Sequence, residues 1–120
     1  MDSATTRTFF IDGQEITLKA TARTPRLYRA TFGRDMLIDM QKLQKAYLEA
    51  ENENVNLSAV DLTLFENLAF IMAKHADPGI PDNPDDWLDS FSMFSIYEIM
   101  PKMFDLWQAS TATTATPKKK

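Results

Sequence analysis

SAVDLTLFENLAFIMAKHA, residues 58 to 76, is the stretch that decides the fold. Ser58 and Asp61 have the spacing of an N-terminal capping box, and Pro78 prevents a helix from continuing. The residues expected to face the core recur with the 3.6-residue period of one helical face: Leu64, Phe65, Leu68, Ile71, Met72 and His75. The pattern predicts a helix over about 58–75 at the centre of the core.

Two more helices are predicted upstream, over about 25–32 and 34–51. Thr24 is expected to cap the first, with Pro25 at its first position, because that position has no backbone partner to lose. Gly33 is expected to end or bend it. The second helix carries a stripe that should face the core: Met36, Met40, Leu43 and Tyr47.

Residues 7–20 predict a β-hairpin. Two β-rich runs flank Asp12-Gly13, which is a strong signal for a two-residue turn. In the second run Ile16, Leu18 and Ala20 alternate toward one side. A lone hairpin is marginal in water, so this apolar face must lie on the helices or meet a strand of another copy.

The C-terminal third begins with an acidic, proline-punctuated loop. Asp85 or Asp86 is expected to cap a short helix over about 85–91, and a last helix is predicted over about 93–109. Pro101 predicts a kink or a break in that helix. Residues 111–120 end in three lysines and are predicted to form a flexible basic tail.

These elements predict one globular domain over residues 1–110 of the α+β class, mainly α, with an N-terminal β-hairpin followed by four or five helices. The 120-residue length is ordinary for a single domain. The chain has no cysteine, no visible secretory signal and no apolar run near membrane-spanning length. We therefore expect a soluble intracellular protein with no membrane partner.

Residues suited to catalysis or metal binding are scarce. His75 is the only histidine, and its place near a helix end is typical of a tucked-in or dipole-stabilised side chain. No serine lies in a nucleophile motif, three glycines are too few for a phosphate-cradling loop, and the aspartates lack calcium-loop spacing. We expect no enzymatic activity, no catalytic residue, no metal site and no cofactor.

Charge is distributed unevenly along the chain. Residues 1–45 carry eight Lys/Arg and five Asp/Glu, whereas residues 46–117 carry two and twelve. The overall net charge of -4 disfavours a nucleic-acid partner. Uneven charge favours contact between copies, with plain solvation as the alternative. The candidate self-association residues are Arg26, Arg29, Asp85 and Asp86.

The last helix is more apolar than one core contact requires. Methionines repack easily and aromatic rings bury much area, so together they suit a surface that grips another protein. The alternative is ordinary core. The candidate partner-binding residues are Tyr97, Met100, Met103, Phe104 and Trp107.

Taken whole, the chain resembles the tail assembly chaperones of long-tailed phages and prophages of Gram-positive bacteria. The segments that carry the resemblance occur in the same order over nearly the full length: residues 9–15, 24–29, 32–35 and 85–89, Leu106-Trp107, Thr113-Thr114 and the ending 117–120.

The resemblance implies a function in the host cytoplasm during viral morphogenesis. Such chaperones bind the tape measure protein, keep it soluble, help recruit the tail tube protein and are absent from the mature virion. Many family members also have a longer form made by ribosomal frameshifting, for which adjacent lysine codons are a suitable place. The alternative function is a structural tail or head-tail connector protein that stays in the virion.

Overall fold

Helix α3 (Ala59–Ala76) lies at the centre of the computed structural model, which describes residue 3 and residues 5 to 111. The predicted capping box is present: the Ser58 hydroxyl accepts the Asp61 N–H at 3.1 Å, and the Asp61 carboxylate accepts the Ser58 N–H at 3.3 Å. Eight residues of α3 are buried, and they lie on more than one face of the helix. The helix therefore contacts the hairpin and all the other α-helices.

The hairpin forms as predicted, from β1 (Thr6–Ile11) and β2 (Gln14–Lys19) in antiparallel register. Asp12 and Gly13 have φ angles of 54° and 76°, the left-handed backbone that a tight two-residue turn requires. The buried side chains of the hairpin face the helices: Ile11, Ile16, Leu18 and Ala20. The expectation that its apolar face would lie on the helices is confirmed.

Helices α1 (Thr24–Phe32) and α2 (Met36–Glu53) follow, joined at Gly33, whose φ of 67° ends α1 in the left-handed conformation. The Asp35 carboxylate accepts the Leu37 N–H at 2.9 Å and so caps α2 two residues later than predicted. The prediction that Thr24 caps α1 is wrong. Thr24 is the first helical residue, and its hydroxyl accepts the N–H of Thr21 at 2.8 Å.

The corner between α1 and α2 is held by a buried carboxylate. Asp39, 1% exposed, accepts hydrogen bonds from Arg34 through both oxygens, at 2.6 and 2.7 Å, and from the Tyr28 hydroxyl at 2.7 Å. These hydrogen bonds and the Arg34 charge lower the pKa of Asp39. Burial, together with the neighbouring carboxylate, raises the pKa of Tyr28. The charged carboxylate is therefore the form that the folded corner favours.

The C-terminal helices are shorter and more divided than predicted. The helix predicted over 85–91 is α4 (Pro84–Leu88), and its cap is Asn83, which accepts the Asp86 N–H at 2.9 Å, so neither Asp85 nor Asp86 is the cap. The helix predicted over 93–109 begins as a 3₁₀ segment (Ser95–Glu98) and continues as α5 (Ile99–Thr111).

Pro101 lies in the first turn of α5, where its missing N–H has no helical partner to lose. The expected break is thus present, but it lies just before the proline. Thr111 belongs to α5, and the rest of the predicted tail, residues 112–120, lies outside the described residues.

The predicted fold class is confirmed: the chain is mainly helical, with an N-terminal hairpin followed by five α-helices among the described residues. Within that part of the chain, each helix is too short or too polar to cross a bilayer.

We predict that Arg34→Ala lowers the urea midpoint of unfolding clearly more than substitution of an exposed arginine without an ion-pair partner, because it leaves the buried Asp39 carboxylate without its cation. Arg26→Ala is the matched control: Arg26 is exposed on α1 and should change stability by less than about 0.5 kcal/mol. Urea unfolding at neutral pH measures both. Equal effects of the two substitutions would contradict the assignment of Asp39 as a structural anchor.

Candidate partner-binding surface

An open seam runs between α2 and α5. Both helices pack on α3, but they make few close backbone contacts with each other. Three depressions follow one another along this gap, and each has residues of α2 on one wall and of the 3₁₀ segment or α5 on the other. We call this channel the α2/α5 seam.

The wide end of the seam is a depression of about 770 Å³ at the C-terminal end of α2. Its lining is mostly apolar and aromatic: Tyr47, Val55, Leu57, Phe94, Tyr97 and Pro101. The α2–α3 loop forms part of this wall, and residues around the 3₁₀ segment form the wall opposite.

The middle of the seam is a smaller depression of about 280 Å³, lined by Gln44, Tyr47, Leu48, Phe104 and Gln108. The far end, of about 400 Å³, is lined mostly by Thr5, the residues after β2 and the start of α1, with Leu37 of α2 and Trp107 of α5 at its border with the seam. Because residue numbers rise along α2 as they fall along α5, the two helices run in opposite directions.

Exposed apolar side chains are concentrated on the seam. Eight large hydrophobic residues are strongly exposed in the described part of the chain, and four of them line the seam: Leu37, Leu48, Val55 and Phe94. Phe94 is 71% exposed, and its neighbour Met93 is 77% exposed. Apolar side chains gathered in one concave strip, rather than scattered singly, are typical of an interaction site.

Three of the five candidate partner-binding residues are half-buried and line the seam: Tyr97, Phe104 and Trp107. Met100 also lines the wide end, but it is only 4% exposed. Met103 is fully buried and lines none of the three depressions.

The expectation that Met103 is available to a partner is therefore not met. Met103 shares a helical face with Ile99 and Leu106, at i, i+4 and i+7, and all three are fully buried. Met103 therefore belongs to the core face of α5 and not to the side that lines the seam.

Sequence reasoning missed the α2 wall of the seam. Tyr47 was assigned to the core stripe, but it is half-buried, and its ring lies 5.0 Å from that of Phe104 across the seam. Leu48 and Val55 lie outside the apolar stripe predicted for the second helix. Met93 and Phe94 were absorbed into a predicted helix, whereas they form the turn before the 3₁₀ segment. A sequence pattern within one helix does not indicate a channel that forms between two helices.

Each tyrosine of the wide end has a carboxylate beside its hydroxyl. Burial and the neighbouring Glu51 raise the pKa of Tyr47. Across the depression, the Tyr97 hydroxyl lies 3.5 Å from Glu66 Oε2. Burial raises the pKa of Glu66, and the nearby charge of Asp85 adds to the effect. The wide end is thus apolar at its floor and acidic at its margins.

The acidic loop does not border the seam. The Lys74 ammonium group donates to the carbonyl oxygens of Pro78 and Ile80 at 2.8 and 2.7 Å and to the Asp82 carboxylate at 2.8 Å. These contacts lower the pKa of Asp82 and hold the loop beside α1, where Leu27 and Pro78 line a separate depression. The loop therefore serves local structure rather than the margin of the apolar channel.

The candidate self-association residues Arg26, Arg29, Asp85 and Asp86 are all exposed. The ion pairs within residue 3 and residues 5–111 join Arg7 to Asp105, Arg34 to Asp39, and Lys74 to Asp82, so they use none of the four. Asp86 also accepts a hydrogen bond from Asn83 at 3.1 Å. Self-association through these residues stays a prediction.

His75 is tucked against α1. Its Nδ1 lies 3.0 Å from the Thr24 hydroxyl oxygen. Burial lowers the pKa of His75, and the positive charges of Lys19 and Arg23 lower it further. The surroundings favour the neutral ring, so stabilisation of a cation by the helix end is not the dominant effect. Among the described residues, no group of three or more His, Asp or Glu is placed to hold a metal ion.

Comparison of the chain with protein-family models, with curated proteins and with solved structures gives no match.

We predict that the only histidine titrates below its ordinary pKa of 6.5 in the folded protein. Below 6.5 the unfolded state then binds more protons than the folded state, so stability should fall as pH decreases through this window. NMR titration of the His75 ring measures the pKa directly, and His75→Gln should flatten the pH dependence in that range. A titration midpoint above 6.5 would contradict the placement of the ring.

Proposed function

We propose that this protein is a phage tail assembly chaperone that binds the tape measure protein, keeps it soluble and helps recruit tail tube subunits in the host cytoplasm. The resemblance of its sequence segments to that family suggests the partner. The observation that carries the proposal is the α2/α5 seam, an apolar channel in which Phe94 and three other large hydrophobic side chains stand exposed.

The seam supports a holding function on physical grounds. Covering one exposed Val, Leu or Phe side chain stabilises a complex by about 1.5–3 kcal/mol. The four exposed side chains together can therefore contribute substantially to the free energy of binding, although the entropy lost when the partner becomes ordered offsets part of this contribution. A protein that keeps an aggregation-prone chain dissolved needs such a surface in its own free state. A catalytic site, by contrast, needs titratable groups that converge on a reactive atom.

The polar contacts around the seam support a surface that is formed before binding. Arg7 and Asp105 form an ion pair of 2.7 Å that ties β1 to α5. At the other end, the Asp12 carboxylate accepts the Ser92 N–H at 2.9 Å and the Ser95 hydroxyl at 2.5 Å. These contacts hold the segment that carries Phe94, so less ordering is required when a partner binds.

We predict that co-expression with its cognate tape measure protein increases the soluble fraction of that protein severalfold, and that the two proteins co-purify. Exposed apolar segments of the tape measure protein would be covered instead of aggregating. Sedimentation of lysates followed by quantitative gel analysis measures the soluble fraction. An unrelated small helical protein expressed at the same level is the control.

Mass spectrometry of purified particles provides a second readout. A chaperone is missing from the particle, whereas a structural tail or head-tail connector protein is present in fixed ratio. An unchanged soluble fraction without co-purification, or a stoichiometric copy number in the virion, would contradict the proposal.

A further inference from the structure

We infer that the α2/α5 seam binds a single amphipathic α-helix of the partner, laid lengthwise between α2 and α5, with a lysine or arginine at the wide end facing Glu51. This inference rests on the proposed function only in one respect, the identity of the protein that contains the helix. The secondary structure, length and charge of the bound segment follow from the seam itself.

The hydrogen bonding of the walls favours a helix over an extended strand. The walls are mostly formed by α2, the 3₁₀ segment and α5, in which most backbone N–H and C=O groups bond within their own helix. An extended segment in this channel would bury its own amides without partners, at about 1–3 kcal/mol for each unsatisfied group. A helix satisfies its backbone internally and exposes only side chains to the walls.

The length of the seam sets the length of the helix. The lining residues of α2 extend from Leu37 to Glu51, which corresponds to roughly 21 Å of helix at 1.5 Å per residue. A partner helix of about 14 residues, close to four turns, would span it. Residues seven apart lie on the same face of a helix, so large apolar side chains at that spacing would all face the seam.

Charge determines the direction in which the helix lies. Among the described residues that line the three depressions, Glu51 is the only Asp, Glu, Lys, Arg or His, and it lies at the wide end with the hydroxyl of Tyr47 beside it. A helix that covers Glu51 must supply a positive charge, because a buried carboxylate without a partner is costly.

A designed peptide tests the inference without the tape measure protein. The probe is a 21-residue helix of Ala and Gln with Leu at every seventh residue and one Lys near the end that meets Glu51. The matched control has the same composition plus one central proline, which disrupts the helix. Isothermal titration against the full chain gives both affinities. We expect the helical peptide to bind at least about tenfold more tightly than the proline peptide.

Substitutions in the chain locate the site. Val55→Asp, in the wide end, should weaken peptide binding about tenfold, whereas Val60→Asp, at a valine equally placed in solvent but outside the seam, should change it less than about twofold. Phe94→Ser and Phe10→Ser form a second matched pair. Glu51→Lys should weaken binding of the Lys peptide and restore binding of a version with Glu in place of Lys.

Thermal unfolding checks that each variant keeps its fold, which exposed positions should allow. No binding of the helical peptide, equal binding of the proline peptide, or equal effects of the paired substitutions would overturn the inference. If the peptide results hold but co-expression does not solubilise the tape measure protein, the proposed function fails while the helix site stands. If the tape measure protein is solubilised but Val55→Asp and Phe94→Ser leave this unchanged, only the helix site fails.

Discussion

The hairpin, through β2, and each of the other α-helices pack on α3, and this constraint shapes the described part of the molecule. A helix with eight buried residues, among them Phe65, Phe70 and Met72, cannot satisfy its apolar surface against a single neighbour. The hairpin, α1, α2, α4 and α5 therefore each cover a part of it. Helix α2 buries its apolar face on α3, and α5 divides its contacts between α3 and the hairpin, so the two helices meet only at contacts such as that between Tyr47 and Phe104. The seam is thus a consequence of the way in which the helices bury their apolar faces.

Polar contacts at the periphery of the fold hold the other elements in position relative to one another. Asp39 joins α1 to α2 through Arg34 and Tyr28. Lys74 holds the acidic loop, and Asp12 fastens the hairpin turn to the segment before α5. Each carboxylate gains donors that lower its pKa, so these contacts favour the charged forms at neutral pH. Together with the contact between the Tyr47 and Phe104 rings, they keep the two walls of the seam in place.

The elements were predictable from sequence where one local signal decides them. The capping box at Ser58, the Asp12-Gly13 turn and the stop at Gly33 each act within a few residues, and each prediction of an element from them is confirmed. Predictions that depended on a choice between neighbours were wrong. Asn83 rather than an aspartate caps α4, because it lies directly before the helical proline.

The candidate site was only half predictable. The surplus of apolar residues in the last predicted helix correctly indicated that Tyr97, Phe104 and Trp107 are partly exposed, but Met103 lies in the core. Which face of α5 is buried depends on its contacts with α3 and the hairpin, which no single-helix pattern contains. The opposite wall, with Leu48 of α2 and Val55 of the following loop, lies more than forty residues from α5 in the sequence. These residues therefore come to lie opposite α5 only in the folded molecule.

A small helical domain leaves an apolar channel uncovered, and we propose that a helix of a partner fills it. The most direct test is a crystal or cryo-electron microscopy structure of the chain purified with the tape measure protein proposed as its partner. The account predicts a helical segment of that protein between α2 and α5, with a basic side chain beside Glu51. A complex in which the seam stays open to solvent while the partner binds the hairpin or the acidic loop would contradict it.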